Sequence, residues 1–172
     1  MLNREQILEG LERLGELLHE RDMNGEILLT GGAVMCLVHS ARGMTQDIDA
    51  LYEPKSVINE LVSKVADELG LSEGWLNDSV KGYITEGASK SEFLVLDGLR
   101  ILTVTPEYLL AMKLMSARHD SKDLEDIEFL LNKLHIKSID DAVNILTTHF
   151  PEDKILPKSM YVLEEHFGNF NG

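Results

Sequence analysis

The sequence predicts an α/β (α+β) fold with a helical C-terminal half. Three observations carry this. Amphipathic helical stretches alternate with short apolar, β-rich runs up to about residue 105. An Asp97-Gly98 pair sits between two such runs, as a tight hairpin turn requires. Beyond Thr105 every periodic segment has the helical repeat. The 172 residues divide into an α/β core over 1–105 and a helical region over 106–172.

Taken in order, residues 4–20 place Ile7, Leu8, Leu11, Leu14, Leu17 and Leu18 on one helical face, and Asn24-Gly25 breaks that helix. Ile27 to Leu29 is a short buried strand, Gly31 and Gly32 turn the chain, and Ala33 to Ala41 is a helix. Residues 46–52 alternate as a strand does. Ile48, Ala50 and Tyr52 share one face, and Asp47, Asp49 and Leu51 the other. Pro54 ends it, and residues 55–69 form an amphipathic helix closed by Gly70. Residues 74–90 have weak periodicity and many turn formers, which predicts mostly loop. Residues 93–96 and 99–105 form the hairpin. Four helices follow: Pro106 to about Arg118, with Thr105 as N-cap, then Lys122 to Leu134, Ser138 to about Phe150, and Pro157 to Phe167.

Composition bounds the function. An apolar fraction of 44% and a charged fraction of 27% are ordinary for a soluble globular chain. No apolar run reaches the length of a membrane span, so no membrane partner is expected. The charged, periodic start does not look like a signal peptide, and a cytoplasmic location is the expectation. The single cysteine, Cys36, offers neither a disulfide nor a zinc cluster and reads as a core thiol. A net charge of −14 disfavours non-specific binding to a phosphate backbone. It suits a basic partner or a cation-loaded site.

The stretch over residues 31–54, GGAVMCLVHSARGMTQDIDALYEP, concentrates the chemistry. Asp47 and Asp49 are two apart on a predicted strand, so both side chains point to one face. Carboxylates so placed repel unless a cation lies between them. Magnesium takes oxygen ligands and bridges carboxylates to substrate phosphates. The double glycine at a strand-to-helix turn lets backbone amides approach a phosphate, and a helix N-terminus favours negative charge. Alone, a Gly-Gly turn is usually only a turn, and two acids on a strand are usually a solvated face.

The combination is more specific. It resembles the nucleotidyltransferase superfamily of the polymerase-beta kind, whose signature is Gly-Gly or Gly-Ser followed by Asp-x-Asp or Asp-x-Glu on a neighbouring strand. The form R-x-x-T-x-D-I-D, Arg42 to Asp49, is similar to minimal nucleotidyltransferases of abortive-infection and toxin–antitoxin systems, the AbiEii-like toxins and their short relatives. Residues 106–127 look like that group's second motif, carried by Lys113, Arg118, Lys122, Asp123 and Asp126. GWLND, residues 74–78, also looks like the short relatives, without an assigned role.

The resemblance implies the small mixed sheet of a nucleotidyltransferase core. It implies Mg2+ (or Mn2+) held by Asp47 and Asp49, and a nucleoside triphosphate (NTP) cradled by Gly31 and Gly32 with help from Arg42. It implies Lys113 on the triphosphate and Asp123 as a further catalytic carboxylate. The acceptor is open between a tRNA end, a protein and a small molecule, and a partner protein is compatible. A third carboxylate on a later strand, present in many members, has no clean copy. Asp97 reads as a turn residue and Asp78 as a helix cap. Lys113 also suits a surface lysine lying along an amphipathic helix, and Arg118 and Asp126 suit a surface pair. The competing reading is a non-catalytic protein–protein module on the same fold.

Overall fold

A computed structural model describes residues 1–117 and 121–168 of the chain. Two compact units are present, Met1–Val104 and Thr105–Gly172.

The first unit begins with β1 (Leu2–Asn3) and α1 (Arg4–Glu20). Asn3 starts α1 with a capping box: its side chain accepts from the Gln6 amide at 2.9 Å, and the Gln6 side chain accepts from the Asn3 amide at 3.1 Å. Then come β2 (Gly25–Leu29), α2 (Gly31–Leu37), β3 (Met44–Thr45), β4 (Ile48–Glu53), α3 (Lys55–Leu69), β5 (Leu76–Asn77), a 3-10 turn over Ser79–Gly82, β6 (Lys90–Leu96) and β7 (Leu99–Val104). The main sheet has the order β5-β4-β2-β7-β6. β2 runs antiparallel to β4 and parallel to β7, β4 is parallel to β5, and β6–β7 is an antiparallel hairpin. The sheet is therefore mixed, within an α+β fold.

Alternation along β4 sorts the two faces. Ile48, Ala50 and Tyr52 are buried, while Asp49 and Leu51 are half-buried. In register, Tyr52 partners Ile27 and Ala50 partners Leu29. Helices α1 and α3 pack on this apolar side: a side chain added at Gly25 would meet Leu18 of α1 and Ile58 of α3. The opposite side carries Asp49 beside Leu51, which partners Leu28.

The second unit is helical: α4 (Pro106–Ser116), α5 (Ser121–Lys133), α6 (Ile139–His149), a 3-10 turn over Glu152–Lys154, and α7 (Pro157–Gly168). Thr105 caps α4 and Ser138 caps α6 through their hydroxyls. The Ser159 hydroxyl, fully buried, donates to the Leu114 carbonyl at 2.7 Å and ties α7 to α4.

Three local expectations change. The helix after the double glycine starts earlier and is shorter, Gly31–Leu37 rather than 33–41, because the chain turns away at Ser40, which has φ +52°. The strand carrying the acids starts at Ile48, so Asp47 lies just before it; the preceding Met44–Thr45 instead pairs with Leu2–Asn3. The loop over 74–90 contains a two-residue strand, Leu76–Asn77, which exists only through its pairing with β4. No helix among the described residues is long and apolar enough to cross a membrane.

Candidate functional site

The Gly31 turn and the Asp47–Asp49 stretch meet at the ends of β2 and β4. The hinge between them is Thr30, fully buried, whose backbone N–H and side-chain hydroxyl both donate to the Asp49 carbonyl, at 3.0 and 3.1 Å. Thr30 precedes α2 but makes no side-chain cap bond to it, because its hydroxyl is spent on Asp49. The Thr45 hydroxyl likewise donates to the Asp47 carbonyl at 3.2 Å. Two threonines thus fix the backbone under the two acids.

Gly31 has φ +59°, in the left-handed region where a Cβ is costly. A side chain there would also come within 3.2 Å of Asp49 Oδ2. The next position is tighter. A Cβ on Gly32 would stand 2.4 Å from Thr45 Oγ1 and 3.2 Å from Arg42 Nη1. The double glycine is therefore a matter of space: it lets the turn lie directly against Asp49, Thr45 and Arg42. With seven residues, α2 supplies little dipole, and close backbone approach is the more important property.

The carboxylates are held from β5. Asp49 and Asn77 are partners in the parallel ladder, which puts their side chains on one face. Asn77 Nδ2 donates to Asp47 Oδ2 at 3.2 Å, and the Ser79 hydroxyl donates to Asp49 Oδ1 at 3.1 Å. Burial pushes the Asp47 carboxyl above its ordinary range, the Asp49 charge pushes it further, and the Asn77 hydrogen bond pulls part of the way back. At Asp47 the upward push prevails.

These residues fit a magnesium ion shared with a nucleotide. Mg2+ uses one or two carboxylates plus substrate phosphates rather than a complete protein cage. Among the described residues no group of three or more His, Cys, Asp or Glu side chains could hold a metal. Two carboxylates beside a turn kept clear of side chains match the shared arrangement.

Within the first unit, Asp97 and Asp78 are not part of this cluster. Asp97 sits in the β6–β7 turn, before Gly98 with φ +79°. Asp78 precedes the Ser79–Gly82 turn without capping it and is ion-paired to Lys55, which holds its carboxyl below the usual range. Lys113 and Asp123 belong to the second unit. Lys113 is not a surface lysine: it is 8% exposed, its Nζ 2.7 Å from Asp123 Oδ1 and 2.8 Å from Asp126 Oδ2. Asp126, 3% exposed, is a buried partner of that lysine rather than a surface group. Arg118 lies outside the described residues.

A family model described as "Nucleotidyltransferase of unknown function (DUF6036)" matches residues 6–161. The chain belongs to this nucleotidyltransferase family. No curated protein matches its sequence. A solved structure, of an antigenic nucleotidyltransferase-like protein from Paracoccidioides brasiliensis, is similar over 94% of each chain, at 14% identity and a TM-score of 0.47. A likeness of that size carries no argument about mechanism.

Sequence reasoning did not assign Thr30, Asn77 and Ser79. Local signals exist for the last two. Asn-x-Ser after a Trp-Leu pair is an Asx-turn pattern, and it begins inside the GWLND stretch that had no role and ends one residue beyond it. Thr30 is visible only once β2 and β4 are paired.

Proposed function

We propose that this nucleotidyltransferase-family chain is a magnesium-dependent enzyme that moves a nucleotide from an NTP to an acceptor hydroxyl. The observation that carries the proposal is the Gly31 turn lying against Asp49, where an added Cβ would be 3.2 Å from Oδ2, with Asp47 and Asp49 each held by a neutral donor from Asn77 and Ser79. A glycine turn kept clear of side chains, facing two crowded carboxylates, suits phosphates and a divalent ion together.

In this proposal Asp47 and Asp49 hold the ion. The Gly31–Gly32 backbone lets the β- and γ-phosphates approach, and Arg42, beside Gly32, meets their charge. When bound, Mg2+ would polarise the α-phosphate and lower the pKa of the acceptor hydroxyl. The chain's own task is to orient the triphosphate for in-line displacement, in which the acceptor oxygen bonds to the α-phosphorus and pyrophosphate leaves. The acceptor is a tRNA end, a protein or a small molecule. The likeness over Arg42–Asp49 makes a toxin–antitoxin or abortive-infection setting part of the proposal.

The test is calorimetric titration of Mg2+ and each of four triphosphates, followed by a label-transfer assay. Magnesium-dependent triphosphate binding with label transfer is expected. Absence of both would leave a non-catalytic binding module. The resemblance also assigns Lys113 to the triphosphate and Asp123 to catalysis, and each is tested separately. If Lys113→Ala folds and keeps its triphosphate affinity, the lysine is only an internal counter-charge for Asp123 and Asp126. If Asp123→Asn folds and transfers label normally, it is not catalytic.

A further inference from the structure

The GWLND stretch has a physical role that the proposed metal site would need. Trp75 is fully buried, and its indole N–H donates to the Val62 carbonyl of α3 at 3.0 Å. A Cβ on Gly10 of α1 would come within 2.8 Å of the indole ring, so α1 closes over it. The Trp75 carbonyl accepts from the Ile48 amide at 2.7 Å, which sets β5 against β4. The anchor therefore places Asn77 and Ser79, two and four residues on, beside the acids.

Those two side chains then fix each other. Asn77 Oδ1 accepts from the Ser79 amide at 3.1 Å and from the Ser79 hydroxyl, whose single proton it shares with Asp49 Oδ1. With Oδ1 committed to Ser79, the Nδ2 end of the amide is turned to Asp47 Oδ2. The Ser79 hydroxyl reaches Asp49 Oδ1. One oxygen of each carboxylate is thus held by a neutral donor, leaving Asp47 Oδ1 and Asp49 Oδ2, the latter beside Gly31. A lysine or arginine donor would orient the acids equally well but would also neutralise them. An amide and a hydroxyl orient without cancelling charge.

We propose that Asn77 and Ser79 are positioning residues, which fix the Asp47 and Asp49 carboxylates so that their remaining oxygens are presented to a divalent cation. This rests on the metal-site reading above. Donors behind metal-binding carboxylates typically contribute about 10–100-fold in metal affinity.

The experiment uses the full chain and Mn2+ as the probe, with affinity read by calorimetry and by paramagnetic relaxation of water. Asn77→Ala and Ser79→Ala should each bind Mn2+ at least about tenfold more weakly, and Ser79→Thr, which keeps the hydroxyl, should bind within about twofold of wild type. A metal-free double-mutant cycle between Asn77→Ala and Asp47→Ala should show a coupling of about threefold or more in the unfolding constant. Ser79 is exposed, so its variants remain informative if Asn77→Ala does not fold. If the wild type binds Mn2+ and the alanine variants bind it equally, positioning is wrong and the metal site stands. If coupling is absent, or if Ser79→Thr fails to restore binding, positioning is likewise wrong. If the wild type itself takes up no Mn2+, the metal reading fails and this inference falls with it.

Discussion

Two carboxylate pairs in this molecule are built in opposite ways. Asp123 and Asp126 lie on one helix, three residues apart, and share the Lys113 ammonium at 2.7 and 2.8 Å. Asp47 and Asp49 are held at one oxygen each by an amide and a hydroxyl, which carry no charge. The first pair has its cation supplied by the chain. The second has neutral donors, and the Asp47 carboxyl is raised, first by burial and then by the Asp49 charge. Burying a charge costs stability unless it is paired. In the function proposed above, two acids crowded behind neutral donors, next to the double-glycine turn, are the place for an external cation. The difference lies in the neighbours: an ammonium beside one pair, an amide and a hydroxyl beside the other.

The contrast can be broken most severely at the acids themselves. Asp47→Asn and Asp49→Asn should each abolish magnesium-dependent transfer of a nucleotide label, while the magnesium-free protein melts at the same temperature or higher. Removing one of two repelling charges relieves strain. A lowered melting temperature in both variants with transfer intact would make this pair scaffolding too.

Next comes the other pair. Lys113→Met should cost about 3–5 kcal/mol in urea unfolding, because it strands the buried Asp126 without its ammonium. The triple variant in which Asp123 and Asp126 also become Asn should recover much of that loss. If Lys113→Met unfolds at the wild-type urea midpoint, the buried pairing is not what holds this region together.

A smaller effect is expected at the turn. Gly32→Ala puts a methyl 2.4 Å from Thr45 Oγ1 and should cost about 1–3 kcal/mol through overpacking, with a shift of the Thr45 hydroxyl off the Asp47 carbonyl. Equal denaturation curves for wild type and variant would show that the turn has slack, and would weaken the case for a cleft kept clear by design.

The smallest effect is in pH. The folded Asp47 carboxyl titrates above its ordinary value of 3.8. Well below 3.8 it is protonated in both folded and unfolded chains and has no effect. As pH rises past 3.8 the unfolded chain gives up this proton first, so wild type loses stability until the folded carboxyl has also ionised, and the loss then persists. Melting wild type and Asp47→Asn from pH 3 to 7 without magnesium should show the variant gaining on wild type across that window. A flat difference would mean that Asp47 is not strained.

Local signals carried much of the fold. Helix α3 runs from Lys55 to Leu69, the predicted span, because Pro54 and Gly70 punctuate it within the chain: Gly70 takes the left-handed conformation at φ +66° that closes a helix. The hairpin at Asp97-Gly98 and the caps at Thr105 and Ser138 were legible for the same reason. The Asp-x-Asp spacing and the double glycine were also legible as a resemblance, since a motif is a local string.

What the sequence could not display is which strands pair and which side chains a pairing brings together. The strands Leu2–Asn3, Met44–Thr45 and Leu76–Asn77 are two residues long and have no pattern of their own; they become strands through partners 28 to 43 residues away. Asn77 faces Asp47 only because β5 lies beside β4, and Thr30 reaches Asp49 only because β2 does. Lys113 read as a triphosphate contact by the resemblance, or else as a surface lysine, because a charge on a helix usually is one. The tertiary structure instead buried it in α4, where residues 108–114 are buried throughout, by placing two carboxylates of α5 on its ammonium. By itself the sequence determined the helices, the hairpin and the identity of the two acids, because caps, turns and spacings act over a few residues. Only the tertiary structure decided which acids would be neutralised and which left crowded, because charge compensation is a matter of distance in space.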